Sequence, residues 1–167
     1  MDTFVCGKCG YIAFKEAPES CPVCGAKKQT FELDPTAIKK PADPNNLNEL
    51  EKKHIPVIEI SAEGGSASGG KRQCGLVGPG CIDAHIKVGQ ILHVMEEKHY
   101  IMYIDLYIDY NFIARYHMTP DKLNPVLGIH LKTNAGKLLV LENCNLHGRW
   151  IAEADIRGSH GQESYRL

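Results

Sequence analysis

Apolar and polar positions along the 167 residues fall into three stretches of different character. In residues 1–33 short apolar pieces, FVCGKCGYIAF and CPVCGAKKQTFEL, are punctuated by Gly, Pro and Cys and read as one compact unit. Residues 34–50, DPTAIKKPADPNNLNEL, are rich in Pro, Asn and charge with no sustained apolar period. They read as a linker, with room for a single helical turn near Leu47 and Leu50. From His54 onward the pattern becomes strand-like. Ile55, Val57, Ile58 and Ile60 make a short apolar strand that runs into AEGGSASGG, an exposed loop by composition. Tyr100 to Asp109 alternates, with Tyr100, Met102, Ile104, Leu106 and Ile108 on one face and Asp105 and Asp109 on the other. A turn at Tyr110 and Asn111 leads into FIARYHM. VLGIHLKT and KLLVLEN flank Asn134, Ala135 and Gly136, a hairpin signal, and RWIAEADI forms a last strand before a polar tail from Gly158. The expectation is an all-β chain: a small metal ribbon, then an antiparallel β-sandwich of six or seven strands over residues 51–167.

Composition narrows the function classes. A formal net charge of −1 gives no general electrostatic reason to bind nucleic acid or membrane. No apolar run approaches the roughly 20 residues of a membrane span. The first residues, MDTFVCGKCG, carry neither the basic nor the apolar region of a signal peptide, so a cytoplasmic protein is expected. In that reducing setting, the seven cysteines read as metal or redox groups rather than disulfides.

Cys6, Cys9, Cys21 and Cys24 form two Cys-x-x-Cys knuckles, the spacing that brings four thiolates to one tetrahedral ion. A unit this small lacks a sufficient core, so a bound metal would supply folding free energy. Two disulfides would need an oxidising compartment. A tetrahedral all-sulfur set takes either zinc or iron. FVCGKCGY and CPVCG resemble the knuckles of rubredoxin in the shortened form attached to rubrerythrins. That resemblance implies a one-electron Fe(Cys)4 centre shielded by Phe4, Tyr11, Phe14 and Phe31. A structural zinc ribbon is the alternative.

The β-region holds a second donor set: His54, His93, His99, Cys144 and His147. His93 and His99 are separated by an even interval in HVMEEKH, which would set both on one side of extended chain. Cys144 and His147 share CNLHG, where the x2 spacing and Gly148 suit a metal-bearing loop. Each residue alone has an innocent reading, and it is their joint occurrence that shifts the balance towards a metal site. Five donors are too many for tetrahedral zinc and suit five-coordinate iron with a sixth position free. Ferrous iron among neutral imidazoles and one thiolate keeps a positive charge that attracts a small anion.

The segments KHIPVIE (Lys53 to Glu59), HVMEEKHYI (His93 to Ile101) and CNLHGRW (Cys144 to Trp150) resemble the superoxide reductase family, desulfoferrodoxin and neelaredoxin, in the family's order. The resemblance implies a seven-stranded immunoglobulin-like sandwich with an exposed iron centre of four histidines and one cysteine, His54, His93, His99 and His147 equatorial and Cys144 axial. It implies one-electron reduction of superoxide to hydrogen peroxide, with Lys53 attracting the anion and organising the protonating water. Electrons would come through the Fe(Cys)4 site, from a donor such as rubredoxin or a flavoprotein reductase, in a homo-oligomer (dimer or tetramer). A non-catalytic two-iron electron-transfer protein is the alternative.

The chain departs from the family in places. Lys52 stands where the family carries the glutamate that binds ferric iron, and Glu51 lies one residue too early. The ferric sixth position is therefore expected open, water-ligated or closed by another group. Cys21-Pro22-Val23-Cys24 replaces the adjacent cysteines of desulfoferrodoxin. Cys74 and Cys81, in KRQCGLVGPGCIDAH, read equally as a redox-switchable dithiol or as unrelated loop cysteines. His85 has no assigned role, His117, His130 and His160 read as ordinary, and Lys98 matches the family motif but also suits a solvated charge.

Overall fold

The computed structural model of the chain describes residues 1–61 and 82–156. The Gly/Ser-rich loop, Cys74, Cys81 and His160 lie outside the described residues. Three short strands, β1 (Thr3–Cys6), β2 (Ile12–Phe14) and β3 (Phe31–Leu33), make an antiparallel sheet in the order β2-β1-β3. The segment read as a linker carries structure of its own. Ala37 and Leu47 are buried, β4 (Ile38–Lys39) joins a sheet, and helix α1 (Glu49–His54) closes it.

The remaining strands are β5 (Pro56–Ser61), β6 (Ile82–Val88), β7 (Ile101–Ile108), β8 (Asn111–His117), β9 (Val126–Leu131), β10 (Lys137–Cys144) and β11 (Gly148–Asp155). One sheet has the order β5-β6-β9 and the other β4-β11-β10-β7-β8. Without β4, which adds in parallel through Arg149↔Ile38 and Trp150↔Lys39, these are the seven antiparallel strands of the expected sandwich. Its core is made by alternate residues of both sheets, among them Ile60, Ala84, Ile86 and Ile129 against Ile104, Leu106, Leu138 and Val140. No helix among the described residues is long and apolar enough to cross a membrane.

Two local expectations are corrected. The strands flanking Asn134 to Gly136 do not form a hairpin: β9 pairs with β6 and β10 pairs with β7 and β11, so the turn carries the chain from one sheet to the other. The β7–β8 hairpin does form, but it turns at Asp109 and Tyr110, whose φ values of 48° and 69° match the two-residue turns that fit strand twist. The face of β7 that carries Asp105 is not solvated. Asp105, Tyr103 and Tyr107 are buried there because the ribbon covers that side of the sheet.

The ribbon docks through Tyr11, Ile12 and Ala13 onto Tyr103, Tyr107, Leu139, Leu141 and Ile151. Phe14 meets Tyr107 edge-on at 5.1 Å, and Tyr11 meets Phe112 at the same distance. Tyr11 and Phe14 therefore serve the docking face. Each such pair adds about 0.5–1.5 kcal/mol beyond area burial.

Candidate metal centres

The five donors of the β-region converge. One ligand atom from each of His54, His93, His99, Cys144 and His147 lies within 4.8 Å of every other. The four imidazoles form a ring of neighbours with centroid separations of 4.7 Å (His54–His93), 4.6 Å (His93–His99), 4.8 Å (His99–His147) and 4.7 Å (His147–His54). The diagonal His54–His99 distance is 6.2 Å, close to that of a flat square with these sides. Adjacent rings stand nearly perpendicular, at 72° to 80°. Cys144 Sγ approaches His147 Nδ1 at 3.6 Å and is buried.

Backbone contacts set which nitrogen faces inward. His54 Nδ1 bonds to the Leu50 carbonyl at 2.7 Å and His93 Nδ1 to the Val94 carbonyl at 2.5 Å. Donation there fixes the proton on Nδ1 and leaves the Nε2 lone pair for a ligand. The facing pairs, His54 Nε2 with His93 Nε2 and His99 Nε2 with His147 Nδ1, are 3.2 and 3.1 Å apart. Metal–imidazole bonds of about 2.1 Å at right angles would set neighbouring nitrogens about 3.0 Å apart, so the donor set fits one ion.

Four segments deliver these side chains. His54 is the last residue of α1, which starts with a capping box: Asn48 Oδ1 accepts from Glu51 N at 3.0 Å, and Asn48 N donates to Glu51 Oε2 at 2.8 Å. His93 and His99 lie in the loop between β6 and β7, not on extended chain. The reciprocal bonds Glu96 N→His99 O (3.0 Å) and His99 N→Glu96 O (2.9 Å) reverse the chain between them. That loop rests on α1 through Gly89 N→Ile55 O and Ile91 N→Lys52 O. Gly89 has φ of +84°, and a Cβ there would fall 2.6 Å from the Lys53 carbonyl oxygen.

Cys144 ends β10 and His147 lies in the turn before β11. Asn145 ties this turn to the histidine loop. Its Oδ1 accepts from Tyr100 N at 2.9 Å and its Nδ2 donates to the Lys98 carbonyl at 3.0 Å. Sequence reasoning missed this residue, although its place inside CNLHG, beside a donor, was a usable signal. It missed Glu142 as well. Both oxygens of that buried carboxyl lack a hydrogen-bond partner among the described residues, and burial pushes its pKa well above the ordinary value. A lone Glu in the apolar run LLVLENC marked it.

Burial lowers His54 and His93 to about 4, so both are neutral and ready to donate lone pairs. Burial also pushes the Cys144 thiol up, so in the metal-free chain it keeps its proton until a cation replaces it.

The second donor set is Cys6, Cys9, Cys21 and Cys24. Cys6 Sγ lies 3.7 Å from Cys24 Sγ, and Cys9 Sγ lies 3.6 Å from Cys21 Sγ. These separations exceed a disulfide bond of about 2.05 Å. They match the edges, about 3.8 Å, of a tetrahedron with metal–sulfur bonds of about 2.3 Å. Backbone donation from Ala26 holds the Cys24 thiol down to about 7, while burial raises Cys9 and Cys21.

Other candidates fall elsewhere. Lys53 lies on α1 with Nζ 2.5 Å from Glu49 Oε1. Glu51 is buried, with Oε1 accepting from Ala42 N and Oε2 from Asn48 N. His85 faces Glu59 across β6 and β5 on an exposed surface, His130 pairs with Asp83 at 2.6 Å, and His117 ends β8.

A ring of four imidazoles with a buried thiolate beside it, on a β-sandwich that carries a four-cysteine ribbon, defines a class: proteins with two separate metal centres, one of four imidazoles and a thiolate, the other of four thiolates. The desulfoferrodoxin family model matches residues 46–153, and the rubrerythrin rubredoxin-like domain model matches residues 4–32. The chain belongs to the desulfoferrodoxin family. Among its relatives is a desulfoferrodoxin of Syntrophotalea carbinolica, 37% identical over 110 residues, which are 65% of this chain and 68% of that protein. A superoxide reductase from Nanoarchaeum equitans superposes with TM-score 0.50 at 26% identity, covering 71% of this chain and 98% of the other. The superoxide reductase from Treponema pallidum superposes with TM-score 0.51 at 21% identity, covering 86% and 93%, and speaks to the fold alone.

Proposed function

We propose that this chain is a superoxide reductase, converting superoxide, one electron and two protons to hydrogen peroxide. The observation that carries this reading is the ring of four imidazoles with a buried thiolate beside it, five donors where a six-coordinate iron ion would take one ligand more. Iron held by His54, His93, His99, His147 and Cys144 supplies the single electron that superoxide accepts. Cys144, buried at the end of β10, adds negative charge on the protein side. His99 and His147 are only part-buried, and Leu146 beside them is 61% exposed, so solvent protons reach this side of the site.

In this reading Lys53 attracts the anion and orients the water that protonates it. Its bond to Glu49 is no obstacle, since exposed ion pairs are worth about 0–1 kcal/mol. Both Glu51 oxygens are engaged in backbone contacts around the start of α1, so Glu51 would not serve as a further ligand, and iron held by the five donors would be left open, water-ligated or closed by another group. The four-cysteine site in residues 1–33 holds iron and relays electrons to the catalytic domain, residues 51–167, with 34–50 between them; zinc there would make it structural. The donor is rubredoxin or a flavoprotein reductase, and the protein works in the cytoplasm as a homo-oligomer.

A non-catalytic two-iron electron carrier is separated by optical titration of the ferric protein with azide. A saturable new charge-transfer band, with iron at the five-donor site, supports a free position. No spectral change with iron present would favour the carrier.

A further inference from the structure

Arg115 on β8 and Asp105 on β7 are cross-strand partners on the face that the ribbon covers. Two parallel bonds of 2.6 Å, Nε to Oδ1 and Nη2 to Oδ2, join them, and their side chains are 4% and 0% exposed. A buried ion pair contributes little to stability over apolar residues of the same volume. This one has a further contact outside the sandwich. Arg115 Nη1 donates to the Cys9 carbonyl at 2.7 Å. The guanidinium stacks 3.6 Å from the Tyr103 ring, and Tyr103 Oη donates to the Gly10 carbonyl at 2.9 Å. The chain comes so close at Gly10 that a Cβ there would fall 2.8 Å from Tyr103 Oη.

We propose that Arg115 and Asp105 are positioning residues that latch the first cysteine knuckle to the sandwich and set the reduction potential of the four-cysteine centre. The pair is oriented, with its positive end on the carbonyl of a ligand residue and its negative end behind the guanidinium. Adding an electron to an iron site of four thiolates makes it more negative, so a positive end nearby favours the reduced form. The fixed docking also keeps the ribbon against strands β7 and β10, the second of which ends at Cys144.

This inference rests on the reading that the four-cysteine site works with iron. The test uses the full chain with iron in both sites, as wild type, D105N, R115Q and the D105N/R115Q double variant, which replaces both charges by amides. Redox titration followed in the ribbon's visible absorbance reads the potential. D105N leaves the cation unbalanced and raises the potential; R115Q removes the nearby positive end and lowers it; the double variant lies between. Amide exchange at residues 9–12 reads the latch, becoming about tenfold faster in R115Q. Single-variant shifts of the same sign, or no shift, would overturn the proposal. Zinc in the four-cysteine site of the protein as isolated would remove the relay reading alone, because the iron-reconstituted protein still gives the potentials.

Discussion

The Nε2 atoms of His54 and His93 stand 3.2 Å apart while each ring's Nδ1 is bonded to a backbone carbonyl. Two unprotonated nitrogens cannot hydrogen-bond to each other, so their lone pairs face across this gap with unfavourable electrostatics. The contact is relieved when a cation occupies the space. The fold thus holds the site in a geometry suited to a metal, and metal binding stabilises the folded chain. Chelation of the metal at the five-donor site should lower the melting temperature and speed amide exchange first in the 90–100 loop and around His147. Equal melting of metal-free and loaded protein would contradict a preorganised site.

Acid should weaken the metal-free chain through the same two residues. Burial holds His54 and His93 at about 4, below the ordinary value of about 6.5. A depressed folded pKa means that the unfolded chain binds the proton first. Their contribution is therefore complete above about pH 6.5 and is lost as pH falls towards 4. Urea midpoints of the apoprotein should fall across that window, and the fall should shrink in His93→Gln.

Asn145→Ala removes both side-chain bonds between the histidine loop and the Cys144–His147 turn and leaves the backbone bond from Asn145 N to the Tyr100 carbonyl. Loss of such supporting contacts typically costs about 10–100-fold in metal affinity. Competition with a chelator should show that loss at the five-donor site and none at the four-cysteine site. A variant with wild-type affinity would assign the loop's position to its own turn instead.

Gly89→Ala forces a Cβ against the Lys53 and Ile91 carbonyl oxygens at a φ of +84°. Backbone strain of this kind costs about 1–3 kcal/mol. The expected result is a lower melting temperature together with weaker metal retention, because the loop carrying His93 and the helix end carrying His54 are pushed apart. Gly136→Ala, at a positive φ distant from both donor sets, is the control: it should destabilise without loosening metal.

The donor sets were the most legible part of this chain, because chemistry at fixed spacing leaves a mark that no packing pattern imitates. The sandwich was legible through alternation in β7 and through the short apolar runs of β5, β10 and β11. What sequence hid were relations between surfaces. Alternation set Asp105 on the face opposite Ile104 and Leu106, but period two cannot tell whether water or a docked ribbon covers that face. Lys39 and Ala37 read as linker, since a two-residue strand carries no period. The turn at Asn134 to Gly136 has hairpin chemistry, yet the strands on either side belong to different sheets. Asn145 and Glu142 lie beside the donors, where a motif names positions but not the contacts that hold them.

Pulse radiolysis of the reduced, metal-analysed protein tests the central claim most directly, by following superoxide decay, oxidation of the iron at the five-donor site and the yield of peroxide. A reductase predicts fast oxidation of that iron, about one peroxide for each superoxide consumed, and little oxygen evolved. Iron in both sites with no acceleration of superoxide decay would contradict the account and leave electron transfer as the better description of the chain.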